Sequence, residues 1–165
     1  MRLNLREIIH VPGASLPFEF SLDLSGEVFF GEQPITRPVL VSGRVRNTAD
    51  VLTLEGTAAS ELDYTCDRCM KSFRREKTVE LQYLLAEAIE GEDEEEIVLL
   101  EDGEVDIGEL AYTAFILDMD TKHLCSEDCK GLCPGCGVDL NETACRCKKQ
   151  VDPRWAALEQ LLDKS

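Results

Sequence analysis

Apolar and polar residues alternate over several stretches of the first 90 residues, as they do in half-buried β-strands. The runs 39–46 and 51–57 are separated by the turn-forming residues 47–50 and predict an antiparallel hairpin. Further alternation predicts a strand before the hairpin, a continuation of its second run and a strand leading out of it: Phe18, Phe20, Leu22, Leu24, Leu62, Tyr64, Cys66, Val79, Leu81, Tyr83 and Leu85. Together these segments predict a meander of antiparallel strands.

A change from period two to a period of three to four residues predicts a helix after residue 105. Asp106 is placed as an N-cap, and Glu109 three residues later completes a capping-box pattern. The helix is predicted to end near Asp118. Its apolar face, which we expect to cover the sheet, is predicted to consist of Ile107, Leu110, Ala111, Ala114 and Leu117, widened by Phe115 and Ile116.

A second helix is predicted near the C-terminus, where Asp152 caps and Pro153 occupies the first helical position. Its apolar positions are Trp155, Leu158, Leu161 and Leu162, which either anchor the helix to the body or bind a partner. The predicted fold class is therefore α+β: an antiparallel β-sheet meander covered by a helix, with a C-terminal Cys-rich zinc-binding lobe and a terminal helix. We expect residues 1–120 to form the β-rich body and residues 121–165 the lobe.

The net charge of −16 is concentrated in one part of the chain. Residues 85–120 hold 14 of the 33 acidic residues and no Lys or Arg, and the run 90–96 before a short apolar strand at 97–100 is predicted to be a solvated loop. The overall charge argues against nucleic acid as a tight, direct ligand. Two basic clusters beside the cysteines form either a solvated rim or a surface for RNA phosphate or an acidic protein: Arg68, Lys71, Arg74, Arg75, Lys130, Arg146, Lys148 and Lys149.

Eight cysteines occur in four short-spaced pairs, the number that two tetrahedral Cys₄ zinc sites require. Pro134 and Gly135 are predicted to form the turn of a zinc knuckle, and Gly137 to let the backbone pass close to a sulfur. Disulfides, a redox C-x-x-C pair and an iron–sulfur cluster are the alternatives. Residues 1–9 show no secretory pattern, so we expect a cytoplasmic protein with reduced thiols. His123 is a weaker candidate ligand beside so many thiols.

Several of these residues carry a resemblance to a known family. The segments C-x-R-C at 66–69, D-x-x-x-L at 106–110, L-C-S-E-D-C-K-G-L-C-P-G-C-G-V-D-L-N at 124–141, C-R-C and D-P-R-W-A-A-L are similar to the YceD family, the large ribosomal RNA subunit accumulation proteins. The resemblance implies a role in ribosome biogenesis and brings no catalytic mechanism with it. It also implies that zinc supports the fold, since some members of the family lack the C-terminal cysteines.

We expect the eight cysteines to form two structural zinc sites. A knuckle and a nearby C-x-C make a compact local unit, which groups Cys133, Cys136, Cys145 and Cys147. The second group would then be Cys66, Cys69, Cys125 and Cys129, joining the lobe to the end of a β-hairpin. A single occupied site with leftover thiols remains the alternative.

The favoured function is that of a non-enzymatic assembly factor that binds a ribosomal protein or a large-subunit ribosomal RNA precursor. The acidic region 90–109 could mimic RNA toward a basic ribosomal protein. The alternatives are a zinc-stabilised interaction module of an unrelated pathway and a metal-dependent RNA-processing enzyme, for which no open metal site is indicated. Because the longest apolar runs are only a few residues, we expect no membrane partner, and we expect no small-molecule substrate either.

Overall fold

The computed structural model describes residues 1–88 and 97–147. In these residues seven strands precede one helix. Their order is β1 (Arg2–Asn4), β2 (Ser15–Leu22), β3 (Val39–Thr48), β4 (Val51–Thr65), β5 (Ser72–Ala86), β6 (Ile97–Leu99), β7 (Glu104–Asp106) and α1 (Ile107–Leu117). The α+β class predicted from the sequence is confirmed.

A five-stranded sheet with the order β2-β3-β4-β5-β6 forms the body, and its first four strands are antiparallel neighbours, as the alternation predicts. The β3–β4 hairpin closes through Ala49 and Asp50, whose φ angles are 51° and 69°. Positive φ at both central residues is the type I′ conformation, which matches the right-handed twist of the flanking strands. The turn is therefore two residues long, because β3 continues to Thr48, two residues beyond its predicted run, while β4 begins at Val51 as predicted.

The β4–β5 pair extends beyond the rest of the sheet. Pairing with β3 stops at Ala59, whereas pairing between β4 and β5 continues to Thr65 and Ser72. Residues 60–65 and 72–77 therefore form a two-stranded arm. The arm ends at the C-x-x-C pair, so the length of these two strands determines where Cys66 and Cys69 lie.

The core lies between the inner face of the sheet, the helix and the N-terminal segment. Leu5, Ile8 and Ile9 are buried there against the inward side chains of the strands. Helix α1 starts at the predicted N-cap, where the Asp106 carboxylate accepts a hydrogen bond from the Glu109 N–H. It packs against β5 and β1.

The buried face of α1 differs from the predicted one. Ile107, Gly108, Ala111 and Phe115 are buried, whereas Leu117 is 80% exposed. Positions 107, 111 and 115 are four residues apart and form one stripe, and Leu117 lies well around the helix from it. The stripe that contains Phe115 faces the core, so the prediction that Leu117 covers the sheet was wrong.

Two features of the β-structure are absent from the sequence prediction. Strands β1 and β7 form a separate two-stranded sheet, and β6 runs parallel to β5 at the edge of the main sheet. Strands β1 and β7 are three residues long, which is too short for an alternating pattern to identify them, and the sequence pattern of β6 does not show which way it pairs. The strand predicted at 97–100 is present as β6.

Some predictions fall on residues outside the described ranges. These are the acidic run 90–96, the basic residues Lys148 and Lys149, and the terminal helix that begins at Asp152 and includes Trp155. The division of the chain at residue 120 also stays a prediction. Within residues 1–88 and 97–147, no helix is long and apolar enough to cross a bilayer.

Candidate metal centres

The first cluster of sulfurs, called the first centre below, lies at the tip of the β4–β5 arm. It contains Cys66 and Cys69 from the arm and Cys125 and Cys129 from the segment that follows α1. The Sγ atoms of Cys66 and Cys129 are 3.8 Å apart, and those of Cys69 and Cys125 are 3.6 Å apart. All of these cysteines except Cys125 are buried.

The second cluster, called the second centre, contains Cys133, Cys136, Cys145 and Cys147. The Sγ atom of Cys145 lies 3.1 Å from that of Cys133 and 3.7 Å from that of Cys136. Only Cys133 is buried, while Cys136 and Cys147 are exposed. The structure thus groups the eight sulfurs in the same two sets that the sequence analysis expects. The second set is more accessible to solvent than the first.

Both clusters fit four-coordinate binding of a metal ion. A tetrahedron with metal–sulfur bonds of about 2.3 Å has edges of about 3.8 Å, close to three of the four quoted separations. A disulfide would bring two sulfurs to about 2.05 Å, far shorter than the shortest separation, 3.1 Å between Cys133 and Cys145. Two Cys₄ clusters compatible with metal binding are therefore present.

The two C-x-x-C turns share one backbone conformation. In the first, the Met70 N–H donates to the Cys66 carbonyl and the Cys66 N–H to the Lys71 carbonyl, at 2.9 Å each. In the second, the Gly137 N–H donates to the Cys133 carbonyl and the Cys133 N–H to that of Val138, at 2.8 Å each. Residues 133–138 therefore repeat the backbone hydrogen bonding of residues 66–71.

The glycines of the second turn have different roles from those predicted. Gly137 has a φ of 73° and no heavy atom within 4 Å of where a Cβ would lie. The close approach to a sulfur occurs at Gly135, where a Cβ would lie 3.3 Å from Cys147 Sγ. The Gly135 N–H also donates to Cys133 Sγ at 3.4 Å. Gly137 therefore provides the left-handed conformation of the turn, and Gly135 leaves room for the Cys147 sulfur.

Met70 occupies the position in the first turn that Gly137 occupies in the second, and its φ is 59°. Because Met70 is exposed and its left-handed conformation is unfavourable for a residue with a Cβ, Met70→Gly is expected to stabilise the fold by about 0.5 kcal/mol. Gly137→Ala is the matched reverse change and is expected to destabilise it by about 1 kcal/mol. Urea unfolding measures both, and a loss of stability in Met70→Gly as large as that in Gly137→Ala would contradict this view of the two turns.

Backbone N–H groups hold one thiol of each centre close to its ionised form. Burial raises the pKa of Cys66, but hydrogen bonds from the backbone of Cys125, Cys69 and Arg68 outweigh burial and bring this pKa down to about 6. The pKa of Cys133 is also lowered to about 6, by its hydrogen bond with the Cys145 thiol and by the backbone of Gly135 and Cys136. Thiolate is the form that binds metal, so both centres already contain one prepared ligand.

The remaining shifted thiols favour the protonated form while no cation is bound. A hydrogen bond to Cys69, followed by burial, raises the pKa of Cys125 to about 12. Hydrogen bonds to Cys136 and Cys145 raise the pKa of Cys147 to about 12. Several thiolates in one small volume repel one another, and a bound cation removes that repulsion. The electrostatics of both clusters therefore favour a cation.

His123 lies beside the first centre but is not one of the four residues that cluster there. Its ring stacks on Tyr64, with the centroids 3.9 Å apart, and its backbone N–H donates to Asp67 Oδ2 at 2.7 Å. The Asp67 N–H returns a bond of 2.9 Å to the His123 carbonyl. These contacts attach the segment before Cys125 to the tip of the arm, which is a structural role that the sequence did not indicate.

Two of the arginines predicted to form a partner surface hold the first centre together. Arg68 donates to the carbonyls of Glu127 and Cys129, at 3.1 Å and 2.8 Å. Arg75 donates to the Leu124 carbonyl at 2.6 Å and lies over the Phe73 ring. Both are exposed, yet their bonds fix the chain around Cys125 and Cys129, so a freely solvated rim does not describe them.

The other basic residues divide into paired and unpaired groups. Lys71 pairs with Asp139 at 3.1 Å and with Glu142, and these contacts, the Glu142 hydrogen bond first, raise the Lys71 pKa. Arg74 pairs with Asp63 at 2.8 Å. Lys130 and Arg146, by contrast, make no ion pair with any residue of 1–88 and 97–147.

Asn141 connects the two centres and was not identified from the sequence as a functional residue. Its Nδ2 donates to Cys129 Sγ at 3.4 Å and its Oδ1 accepts from the Lys130 N–H at 2.7 Å. Leu132 N–H also donates to the Arg68 carbonyl at 2.9 Å. The only sequence signal was the position of Asn141 at the end of the V-D-L-N motif, which by itself indicates no contact.

A family model described as "Large ribosomal RNA subunit accumulation protein YceD" matches residues 54–162, and this range includes both Cys₄ clusters. The chain belongs to the YceD family. The resemblance drawn from the cysteine motifs is thereby confirmed.

Curated relatives of this YceD-family chain include uncharacterized proteins of Mycobacterium tuberculosis and Mycobacterium bovis. Each is 32% identical over 123 residues, which cover 72% of this chain and 59% of the relative. The uncharacterized protein YlbN of Bacillus subtilis is 27% identical over 168 residues, covering 98% of this chain and 96% of YlbN. The chain thus spans about 59% of the length of its mycobacterial relatives. No solved structure matches it.

Proposed function

We propose that this chain is a non-enzymatic, cytoplasmic ribosome biogenesis factor that supports accumulation and processing of large-subunit ribosomal RNA by binding a component of the large subunit. The observation that carries the proposal is the YceD family match over residues 54–162, which spans both sulfur clusters and the arm that presents one of them. A family name that describes accumulation, joined to four-sulfur sites, fits a binding role better than a catalytic one.

The ion we assign to both centres is Zn²⁺, in a structural role. Four thiolates are a donor set that zinc prefers, and four protein ligands leave no coordination position for water or substrate. Each cluster in the described part of the chain consists of four cysteines. When bound, the ions would tie the four ligands of each centre together, and no chemical step on RNA is assigned to them.

The first centre would fix the position of residues 121–129, which follow α1. It joins residues 66 and 129, which are separated by β5, β6, β7 and the helix. Closing such a long loop restricts the unfolded chain, and metal binding adds to the free energy of folding. The Lys71–Asp139 ion pair, the Asn141–Cys129 contact and the hydrogen bond from the Leu132 N–H to the Arg68 carbonyl then connect this centre to the second one.

The internal contacts of the basic residues favour a protein over RNA as the direct partner. Arg68, Lys71, Arg74 and Arg75 all bond to carbonyls or carboxylates of this chain, so their charge is already partly compensated. The net charge of −16 repels phosphate and attracts basic proteins, a class that includes many ribosomal proteins. Direct RNA binding through Lys130, Arg146, Lys148 and Lys149 is the second candidate, because the first two make no ion pair with the described residues.

A depletion experiment in the source organism tests the proposed function. Loss of the chain is expected to lower large-subunit ribosomal RNA and the ratio of large to small subunits in a sucrose gradient, because the factor supports that RNA. A tagged copy is expected to restore the ratio and to co-purify large-subunit proteins or precursor RNA, with an unrelated acidic tagged protein as the control.

Two results would separate the alternatives. Unchanged subunit profiles, with neither ribosomal protein nor precursor RNA recovered, would reject the proposed function and leave a zinc-stabilised module of another pathway. Metal-dependent cleavage of precursor RNA by the purified chain would instead identify an RNA-processing enzyme.

A further inference from the structure

An aromatic recess lies beside the first centre, between the β4–β5 arm and the loop that follows β2. Its lining includes the rings of Phe29, Phe30, Tyr64 and His123 and the acidic residues Glu32 and Asp67. The Tyr64 and His123 rings stack on one another and form its floor. None of the residues that line the recess is a sulfur ligand, so the cysteine motifs do not indicate this site.

Phe30 is held in an exposed position by a tight turn. Phe29 and Glu32 exchange backbone hydrogen bonds of 2.8 Å and 2.9 Å, and Phe30 and Gly31 between them have φ angles of 50° and 88°. A left-handed conformation is unusual for a bulky aromatic residue and costs free energy. The Phe30 side chain is nonetheless 80% exposed, so burial in this chain does not offset that cost.

Two polar atoms of the recess lack partners. Tyr64 is 3% exposed, and its hydroxyl has no hydrogen-bond partner among the described residues. The Nδ1 of His123 is likewise buried and without a partner there. Buried polar groups are normally paired, so an unpaired hydroxyl and an unpaired ring nitrogen in one recess indicate a missing polar group.

The two charged residues that line the recess, Glu32 and Asp67, are acidic. Asp67 uses Oδ2 to accept the His123 N–H, and its other oxygen remains available for a donor from outside. Glu32 makes no ion pair within the part of the chain that the structure describes. Aromatic faces attract cations through their quadrupole, and carboxylates attract them directly. The recess therefore has the chemistry of a site for a cationic side chain.

We propose that this recess binds an arginine side chain of a basic protein partner, with the guanidinium between the Phe30 and Tyr64–His123 rings and facing Glu32 and Asp67. This proposal rests on the proposed function, since it names the surface by which the factor would hold a large-subunit protein. Arginine fits better than lysine because its planar group stacks on aromatic rings and has five donors for carboxylates, a hydroxyl and a ring nitrogen. RNA fits poorly, because its phosphates would face Glu32 and Asp67.

The binding test uses the full zinc-loaded chain and a matched pair of small probes. Nα-acetyl-arginine amide is titrated in ¹H–¹⁵N spectra, with Nα-acetyl-citrulline amide as the uncharged probe of the same shape. Arginine is expected to shift the signals of residues 29–32, 64–67 and 121–123, and citrulline is expected to bind at least about 3-fold more weakly. Phe30→Ala and Glu32→Gln are each expected to weaken arginine binding by about 2- to 5-fold.

Val28→Ala is the matched control, since Val28 is also an exposed apolar residue of the same loop and does not line the recess. It should bind arginine like the wild type. Equal binding of citrulline, shifts spread over the whole acidic surface, or unchanged arginine binding in Phe30→Ala would overturn the proposal. Binding of an RNA oligonucleotide that is lost in Phe30→Ala would also overturn it, by showing that a base occupies the recess.

The cellular readout separates this proposal from the proposed function. If the double variant of Phe30→Ala and Glu32→Gln restores subunit profiles and partner recovery as well as wild type, the recess proposal is rejected and the proposed function stands. Failure of that variant, with normal abundance and with Val28→Ala fully active, would support the recess as the docking site.

Discussion

Cys66→Ser is expected to remove one of two zinc ions and to release residues 121–129 from the tip of the β4–β5 arm. Cys66 is fully buried, and its sulfur is 3.8 Å from that of Cys129. Structural zinc sites contribute roughly 10 kcal/mol to folding in zinc-finger peptides. A change that opens the first centre is therefore expected to destabilise the region around it by several kcal/mol, on the order of 5.

The sheet itself is expected to survive Cys66→Ser. Cys66, Cys69 and Cys129 form a hydrophobic cluster separate from the main core, which contains Val41, Leu54 and Phe115. Hydrogen exchange should show lost protection in residues 66–72 and 121–132, with protection retained in β3 and the first half of β4. Metal analysis should give about two zinc per chain for the wild type and about one for the variant.

Cys147→Ser is the matched control, since Cys147 is an exposed ligand of the second centre. It should also lower the zinc content by one, but with lost protection confined to residues 133–147. A wild-type chain that folds without metal, or a Cys66→Ser protein with two zinc ions and unchanged exchange, would reject the assignment of the first centre.

Gly43→Ala is expected to be among the most destabilising single methyl additions in the body. Gly43 and Gly56 are directly opposite on β3 and β4, and the Phe18 ring lies over both. A Cβ on residue 43 would lie 2.3 Å from the Glu55 carbonyl oxygen and 2.7 Å from the Phe18 ring. Because the closest atom is backbone, strands rather than one side chain must shift, at a cost of about 3 kcal/mol.

Thermal unfolding measures this effect, with an expected decrease in the midpoint of about 6–12 °C for a chain of this size. Gly26→Ala is the control, because a Cβ there meets no heavy atom within 4 Å and the backbone is not in the left-handed region. An unchanged midpoint in Gly43→Ala would show that β3 and β4 do not approach as closely as the structure has them.

Local sequence patterns predicted the strands with long alternating runs and the helix start with a capping residue. The hairpin, the arm leading to Cys66 and the Asp106 N-cap were predicted because alternation and capping act over a few residues. The same patterns failed for Leu117, whose apolar character suits a buried face but whose position on α1 does not. Strands β1 and β7, each three residues long, are too short for such patterns to identify.

The contacts of the basic residues were not predicted from the sequence, for a different reason. Arg68, Lys71 and Arg75 form a charged cluster in the sequence, which suits a surface for a partner. Their acceptors lie about 50 to 70 residues away, at Cys129, Glu142 and Leu124. No spacing along the chain reveals such contacts, because they depend on how the segment after α1 returns to the arm.

The sequence by itself determined the strands of the meander, the start of the helix, the supply of eight thiols and their division into short-spaced pairs, because each of these depends on neighbours within a few positions. Only the tertiary structure decided that Arg68 and Asn141 support the centres, that β6 runs parallel, and that Phe30, Tyr64 and His123 share one recess. Those contacts join residues that are 12 to 61 positions apart for the Asn141 and Arg68 bonds to Cys129, beyond the reach of a local pattern. They depend on the register of the strands and on the path by which the segment after α1 comes back to the arm, and no local sequence pattern determines either.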